Sequence, residues 1–496
     1  MKSFGLIVIK NAAANVARGG ATAAVALALP HFLTRALSPD RFGAWSLMLQ
    51  IAACSSYLDF GLQTAIARHV AQLMEYGQNI QINKLVSTAM AMLAASGGLA
   101  FAAIGVLLWR LPVFFHGIPP ALSHEFRLAA SLLAASTCAQ LPLSTYTGIL
   151  VGRHRNEYPA LAIGGSRLVG GATAIVAGFF SHSLIAIAAC VAISNLLGSL
   201  LQVAFAYRIQ PALRIRLFAY DWKLAAQLAR YCTGLTIWSF GVFLVNGMDL
   251  VVVGHFQFPA VGYYSIATAL ITCFIGFNFA VINAFMTPIA SLHARGELAH
   301  IRILVLLATR WITAINIALT VLAFVFGESA LTYWVGGAYA LPAFFILRIL
   351  VVAQAIRCIS GAYCVMLIAT GQQRHGIEGA VVEGIVSLCA SLLGAVYFGP
   401  VGVAAGTLAG TVSGFLWILI RTIPRAQAVP LARKDYLLKG MLIPVLACLP
   451  VAVCGLIGAC THKQFQAWLL PFVIVATGFL LLRIGRLLQI RSQTLL

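Results

Sequence analysis

The stretch VSTAMAMLAASGGLAFAAIGVLL, residues 86–108, decides the class of this protein. It contains no charged side chain, and a helix of about 20 apolar residues is long enough to cross the hydrocarbon core of a bilayer. Similar apolar segments recur from one end of the chain to the other, separated by short polar gaps. The sequence therefore predicts an all-α polytopic membrane protein.

The composition agrees with this class, because 61% of the 496 residues are hydrophobic and only 9% are charged. The mean hydropathy of +0.95 lies far above that of soluble globular domains. Hydropathy predicts 14 membrane spans and leaves no room for a sizeable soluble domain. The predicted spans are residues 11–33, 44–66, 86–108, 128–150, 160–180, 184–206, 232–254, 262–287, 303–326, 342–369, 379–397, 401–420, 440–458 and 468–482.

The net charge of +20 is distributed by side of the membrane. With the N-terminus inside, the inner segments hold about 22 Lys and Arg residues and the outer segments about 5. This bias predicts that both termini are cytoplasmic and that the inner loops contact the anionic headgroups of membrane lipids. No basic run carries interleaved stacking aromatics, so nucleic acid is not an expected partner. The eleven cysteines show no metal-ligand spacing, and neither a metal nor another cofactor is predicted.

Charged residues inside the predicted spans are the strongest functional signal. A cation at mid-membrane costs about 2.5–3.5 kcal/mol on insertion scales, so several of them in one protein indicate an internal polar cavity. Arginine outnumbers the acids, and its planar fork suits bidentate contact with phosphate oxygens. The arginines are therefore predicted to bind an anionic substrate. They are Arg18, Arg167, Arg310, Arg348 and Arg357.

The three intramembrane acids have either a coupling or a structural role. Asp59 and Arg18 lie at similar depth on adjacent spans and are a candidate ion pair. Asp249 and Glu383 could carry coupling protons or form salt bridges with arginines. The arginines have a structural alternative too, because ion pairing or anchoring at the interface would also explain them. Arg357 has no carboxylate within one helical turn, which favours contact with the substrate.

The chain contains an internal repeat. At an offset of 219 residues, 11 of the 44 positions between Gly43 and Val86 are identical. Six spans separate the two copies, so they share one orientation in the membrane. We therefore predict two parallel six-helix halves around a central cationic cavity, residues 1–208 and 209–424, followed by two additional transmembrane helices in residues 425–496.

Three segments carry a family resemblance. They are LSPDRFGAWSLMLQIAACSSYLDFGLQTAIARHVA (37–71), NGMDLVVVGHFQFPAVGYYSIATAL (246–270) and FMTPIASLHARGELAHIRILVLLATRW (285–311). Together they resemble the polysaccharide transporters of the multidrug/oligosaccharidyl-lipid/polysaccharide exporter superfamily, which include O-antigen and exopolysaccharide flippases. A weaker similarity lies in FGPVGVAAGTLAG, residues 398–410.

This resemblance implies a flippase of the bacterial inner membrane, not an enzyme. Its expected substrate is an undecaprenyl-diphosphate-linked oligosaccharide, moved from the inner to the outer leaflet by alternating access. Polymerase and chain-length or export proteins of the same pathway are its expected protein partners. A multidrug exporter or lipid II flippase of the same fold, and a polytopic polysaccharide polymerase, are the alternatives.

Overall fold

The computed structural model describes residues 2–76, 78–211, 213–214, 220–426, 429, 431–446 and 448–449. Within these ranges the chain is helical and contains no β-strand. Ten helical segments of the described chain are long and apolar enough to cross a membrane. The predicted all-α polytopic class is thus confirmed, whereas the count of 14 spans stays a prediction. Predicted span 13 is described only as far as residue 449, and span 14 lies outside the described residues.

The chain divides into two compact units, Met1–Ala269 and Leu270–Leu496. The domain boundaries predicted after residues 208 and 424 stay predictions. The helices of the first unit are α1 (Lys2–Ala36), α2 (Pro39–Cys54), α3 (Leu62–Glu75), α4 (Asn79–Trp109), α5 (Leu111–Phe114), α6 (Pro120–Gly152), α7 (Glu157–Ser181), α8 (Leu184–Ile209), α9 (Trp222–Asn246) and α10 (Asp249–Phe256).

The boundary between the units falls within α11 (Val261–Asn283). The remaining described helices belong to the second unit, where a π-helical segment, Tyr436–Leu442, follows the last of them. They are α12 (Met286–Ala294), α13 (Leu298–Val335), α14 (Gly337–Ala369), α15 (Gln373–Trp417), α16 (Ile423–Arg425) and α17 (Arg433–Asp435).

Predicted span 2 is not one continuous helix. After α2 comes a 3-10 turn, Ser55–Asp59, and then two left-handed residues, Phe60 (φ 54°) and Gly61 (φ 74°). A side chain at position 61 would also lie 2.7 Å from Leu235 Cβ. Only glycine meets both conditions without strain, so the chain breaks here before α3 begins.

Glycines let α7 pack closely on α1. A Cβ atom at Gly171 would lie 3.0 Å from Val25, and one at Gly178 would lie 2.7 Å from Leu33. These two glycines are seven residues apart and therefore share one face of the helix. Small residues at this spacing bring helix backbones together in a membrane, where helix association rests on close packing.

Predicted spans 11 and 12 form the two arms of α15, which is broken at Gly399 (φ 59°, ψ −139°) before Pro400. The second arm carries a glycine every four residues, so the glycines form one stripe that faces the first arm. A Cβ atom added at Gly406 would lie 2.3 Å from the backbone nitrogen of Ser391. One added at Gly410 would lie 2.5 Å from Ser387 Cβ. The stripe holds the two arms in backbone contact. Its members are Gly402, Gly406, Gly410 and Gly414.

The sequence repeat has a structural counterpart. Helices α4 and α13 begin at Asn79 and Leu298, which are separated by the repeat offset of 219 residues. Later segments of the chain contact these two helices at positions that match under the same offset. The Arg214 N–H donates to Asn83 Oδ1 at 3.1 Å, and Asp435 pairs with Arg302, the residue 219 positions after Asn83.

Candidate functional site

Two arginines come together on α1 and α7 in the first unit. Arg167 Nη1 donates to Thr22 Oγ1 at 2.7 Å, and the Thr22 hydroxyl donates to the Arg18 carbonyl at 3.0 Å. A Cβ atom at Gly164, one turn before Arg167, would lie only 3.7 Å from Arg18 Cα, so the two helices are close at this point. Both side chains are cations and therefore repel each other. We call Arg18 and Arg167 the arginine doublet.

The arginine doublet has no acidic partner among the described residues. Arg167 is exposed and Arg18 is half-buried, so an incoming group can reach both. A guanidinium stays protonated at any physiological pH and offers five N–H donors. Two such groups side by side, with no carboxylate, form a site suited to a multivalent anion.

Asp59 does not form an ion pair with Arg18 in the part of the chain that the structure describes. Its Oδ1 instead accepts from the Gln63 N–H at 3.2 Å, where α3 begins beyond the break at Phe60 and Gly61. This is the geometry of a residue that caps the start of a helix, where backbone N–H groups lack helical partners. The predicted pairing rests on shared depth alone and stays a prediction.

Asp249 is the first residue of α10 and is buried. The Tyr264 hydroxyl donates to its Oδ2 at 3.1 Å, which ties α10 to α11 within the first unit. The predicted choice between a coupling and a structural role for Asp249 is not decided by this contact.

Arg357 and Glu383 form a half-buried polar network between α14 and α15. Arg357 Nε donates to Glu383 Oε1 at 2.6 Å, and the two side chains are 22% and 15% exposed. Arg357 Nη1 donates to Gln354 Oε1 at 2.8 Å and Nη2 to Thr411 Oγ1 at 3.0 Å. The Thr411 hydroxyl is also 3.1 Å from Glu383 Oε1. The carboxylate that the sequence near Arg357 lacks therefore comes from the next helix.

Arg348 lies apart from this network. Nine residues separate it from Arg357, which at about 100° per residue places the two on opposite faces of α14. Its guanidinium carbon lies 4.1 Å from the centre of the Phe344 ring and 5.4 Å from that of Phe324. Its Nε is buried without a hydrogen-bond partner. Arg348 and Arg357 therefore do not face one cavity side by side.

Arg310 holds the segment that follows α17. Its Nε donates to the carbonyl of Lys439, and Asp435 contacts both Arg302 and Lys439. A Cβ atom at Gly440 would lie 3.3 Å from Thr309 Cγ2, so this segment packs directly on α13. This contact is internal to the chain, so substrate binding and anchoring at the membrane interface both stay predictions for Arg310.

In the first unit, Arg18 and Arg167 thus lie together. In the second unit, Arg310, Arg348 and Arg357 each have different described partners. Sequence reasoning did not identify the neutral residues that complete the sites, which are Thr22, Gln354 and Thr411. For Gln354 a signal was present, since it lies three residues before Arg357 and hence on the same helix face. Thr411 could have been found from the glycine stripe, because it directly follows Gly410.

The family model described as a polysaccharide biosynthesis protein matches residues 32–341, more than half of the chain. All three motif segments of the sequence analysis lie within that range. A search of curated proteins finds no match.

Solved structures show the same fold at low sequence identity. The lipid II flippase MurJ, in an inward closed conformation, has a TM-score of 0.66 and 14% identity, covering 94% of this chain and 98% of that chain. An inward-facing multidrug resistance MATE family transporter of the MOP superfamily has a TM-score of 0.64 and 14% identity, and the alignment covers 81% of this chain and 94% of that chain. An outward-facing multidrug resistance MATE family transporter of the MOP superfamily has a TM-score of 0.55 and 17% identity, and the alignment covers 84% of this chain and 95% of that chain.

Proposed function

The chain belongs to the polysaccharide biosynthesis protein family, and on that premise we propose that it is a flippase for undecaprenyl-diphosphate-linked oligosaccharides. It moves them from the inner to the outer leaflet of the bacterial inner membrane by alternating access. It works as a carrier and makes or breaks no covalent bond. Lipid II has the same diphosphate carrier, so a diphosphate site alone does not separate the two cargos. The family match favours polysaccharide repeat units.

The arginine doublet is the observation that supports this proposal. A cation at mid-membrane costs about 2.5–3.5 kcal/mol on insertion scales, and two like charges side by side also repel each other. A diphosphate offsets both costs, because it brings at least two negative charges and oxygens for several charge-assisted hydrogen bonds. A cationic drug would add a third positive charge to the same place. The doublet therefore favours an anionic cargo over the cargo of a multidrug exporter.

The five arginines then divide by role. Arg18 and Arg167 receive the diphosphate, and Arg357 stays a separate candidate for contact with an anionic cargo. Arg310 fixes the segment after α17 through the Lys439 carbonyl. Arg348, held between two phenylalanine rings, takes no direct part in the diphosphate contact.

The test is a leaflet-accessibility assay with purified protein in proteoliposomes that contain a fluorescent undecaprenyl-diphosphate-linked oligosaccharide. Arg167→Gln should reduce flipping by roughly 10- to 100-fold, the effect of losing a charged hydrogen bond worth about 1.5–3 kcal/mol. Arg167→Lys should retain part of the activity, because lysine keeps the positive charge but cannot make the bidentate contact of a planar guanidinium. Arg425→Gln is the matched control, since Arg425 forms an exposed pair with Glu378.

Wild-type flipping in a folded Arg18→Gln/Arg167→Gln protein would refute the assignment of the doublet. The same reaction mixtures distinguish the other candidate functions. A polymerase would lengthen the glycan, which gel analysis of the recovered lipid-linked product detects. A multidrug exporter would move a cationic dye and leave the glycolipid in its original leaflet.

A further inference from the structure

Thr22 lies in the contact between α1 and α7, where it meets both members of the arginine doublet. It follows Arg18 by four residues, so the two share one face of α1. Arg167 lies three residues after Gly164 and four residues before Gly171, and both glycines pack against α1. Arg167 therefore leaves α7 at a place where the two helix backbones are close to each other.

The Thr22 hydroxyl presents an acceptor to Arg167. Its single proton is donated to the Arg18 carbonyl at 3.0 Å, and a guanidinium has donors but no acceptor. The same oxygen accepts from Arg167 Nη1 at 2.7 Å. The bond to the carbonyl four residues earlier also restricts the rotamer of a helical threonine. Thr22 is thus a neutral acceptor with a fixed direction.

We propose that Thr22 is a positioning residue that holds the Arg167 guanidinium beside Arg18 before the cargo arrives, and so raises the affinity of the arginine doublet for a diphosphate. This inference rests on the proposed function, because it concerns the same diphosphate site. The two cations repel each other, and no acid among the described residues holds them together. Thr22 holds Arg167 without a negative charge, so no anion has to be displaced when the diphosphate binds.

The bond to Thr22 leaves most of the binding capacity of Arg167 free. It uses one N–H on Nη1, whereas Nε and Nη2 have no hydrogen-bond partner among the described residues. Nε and Nη2 form one edge of the planar guanidinium, and such an edge can make a bidentate contact with phosphate oxygens. Arg167 is exposed, so a phosphate group can reach this edge. The bond to Thr22 can therefore persist in the complex, and its effect is to order a long side chain before binding.

The experiment measures binding of a fluorescent undecaprenyl-diphosphate-linked oligosaccharide to the purified full-length protein in detergent, by fluorescence anisotropy. Thr22→Val keeps the shape of the side chain and removes the hydroxyl. It should raise the dissociation constant about 3- to 10-fold, the scale of ordering one long side chain on binding. Thr22→Ser keeps the hydroxyl and should bind as wild type does. Thr173→Val is the matched control, because Thr173 on α7 also donates to a carbonyl four residues earlier and has no described contact with an arginine.

A second comparison shows whether Thr22 acts through Arg167. Once Arg167 is replaced by glutamine, the hydroxyl has no guanidinium to hold. Thr22→Val/Arg167→Gln should therefore bind no more weakly than Arg167→Gln alone, whereas a general disturbance of α1 would weaken the double variant further. Thr22→Ala provides the same comparison if Thr22→Val does not fold.

The inference is overturned if folded Thr22→Val or Thr22→Ala binds the glycolipid as tightly as wild type, or if Thr22→Ser binds as weakly as Thr22→Val. It is also overturned if the losses of the two single variants add up in the double variant. A wild-type protein that does not bind the glycolipid would overturn the proposed function and this inference together. Binding that weakens in Arg167→Gln but not in Thr22→Val would overturn this inference alone.

Discussion

Removal of the Glu125 side chain should destabilise the first unit more than removal of any exposed glutamate. Glu125 on α6 lies beside the start of α8. Its Oε1 accepts from the Leu184 N–H at 2.6 Å and from the Ser183 hydroxyl at 3.0 Å. Its Oε2 lies 3.1 Å from Arg41 Nη2 at the start of α2. One carboxylate thus joins three helices.

The magnitude follows from what Glu125→Ala leaves behind. Leu184 is fully buried, so its N–H, a first-turn donor without a helical acceptor, would lose its partner at about 1–3 kcal/mol. The lost negative charge at a helix N-terminus adds about 0.3–1 kcal/mol. The ion pair adds under about 1 kcal/mol, since the Arg41 side chain is 36% exposed. Together these contributions amount to about 1–5 kcal/mol.

The assay is the free energy of unfolding of purified protein in detergent, measured by titration with a denaturing detergent. Glu125→Gln should retain most of the stability, because its amide oxygen can still accept from Leu184. Glu378→Ala is the control and should cost under about 1 kcal/mol, because both partners of its pair are nearly half exposed. If Glu125→Ala lowers the free energy no more than Glu378→Ala, the reasoning is refuted.

In the same unfolding assay, Gly406→Ala should lower the free energy of unfolding by about 1–3 kcal/mol or more, because the added methyl group overpacks against Ser391. Gly165→Ala is the control and should be neutral or slightly stabilising, because a Cβ atom there meets nothing within 4 Å. The hydrogen bond from Lys439, with the charges of Lys439 and Arg302, lowers the pKa of Asp435 below its ordinary value. A lowered folded-state pKa means that this stabilisation is complete above the unfolded-state pKa and is lost as pH falls through the folded value. Asp435→Asn should therefore flatten the acid side of the pH–stability curve, and an unchanged slope would contradict this.

Local sequence patterns predicted the helices well, because apolar length and helix-breaking residues act over a few neighbouring positions. The predicted span 2, residues 44–66, ran through the break at Phe60 and Gly61, although the glycine that permits the break is visible in the sequence. Its cause is the approach of Leu235, which lies more than 170 residues away along the chain. Likewise, Glu125 falls outside the predicted spans, where charged residues are common and therefore do not indicate a special role. Only the packing of α2, α6 and α8 brings its three partners to it.

The sequence by itself determined the membrane class, the family, the repeat and the positions of the charges along the spans, because each of these is a property of residues at fixed separations in the chain. Tertiary structure alone decided which charges meet. Arg357 has no carboxylate within a helical turn, yet Glu383, 26 positions later, lies 2.6 Å away because the glycine stripe of α15 fixes its backbone. Arg18 and Arg167 lie together because glycines let α1 approach α7. The depth of a residue along its span, which is all that the sequence gives, does not distinguish this pair from the predicted pair of Arg18 and Asp59. In an apolar environment a charged side chain pairs with a polar group that helix packing places beside it. Helix packing in turn depends on small residues that are far apart in the sequence.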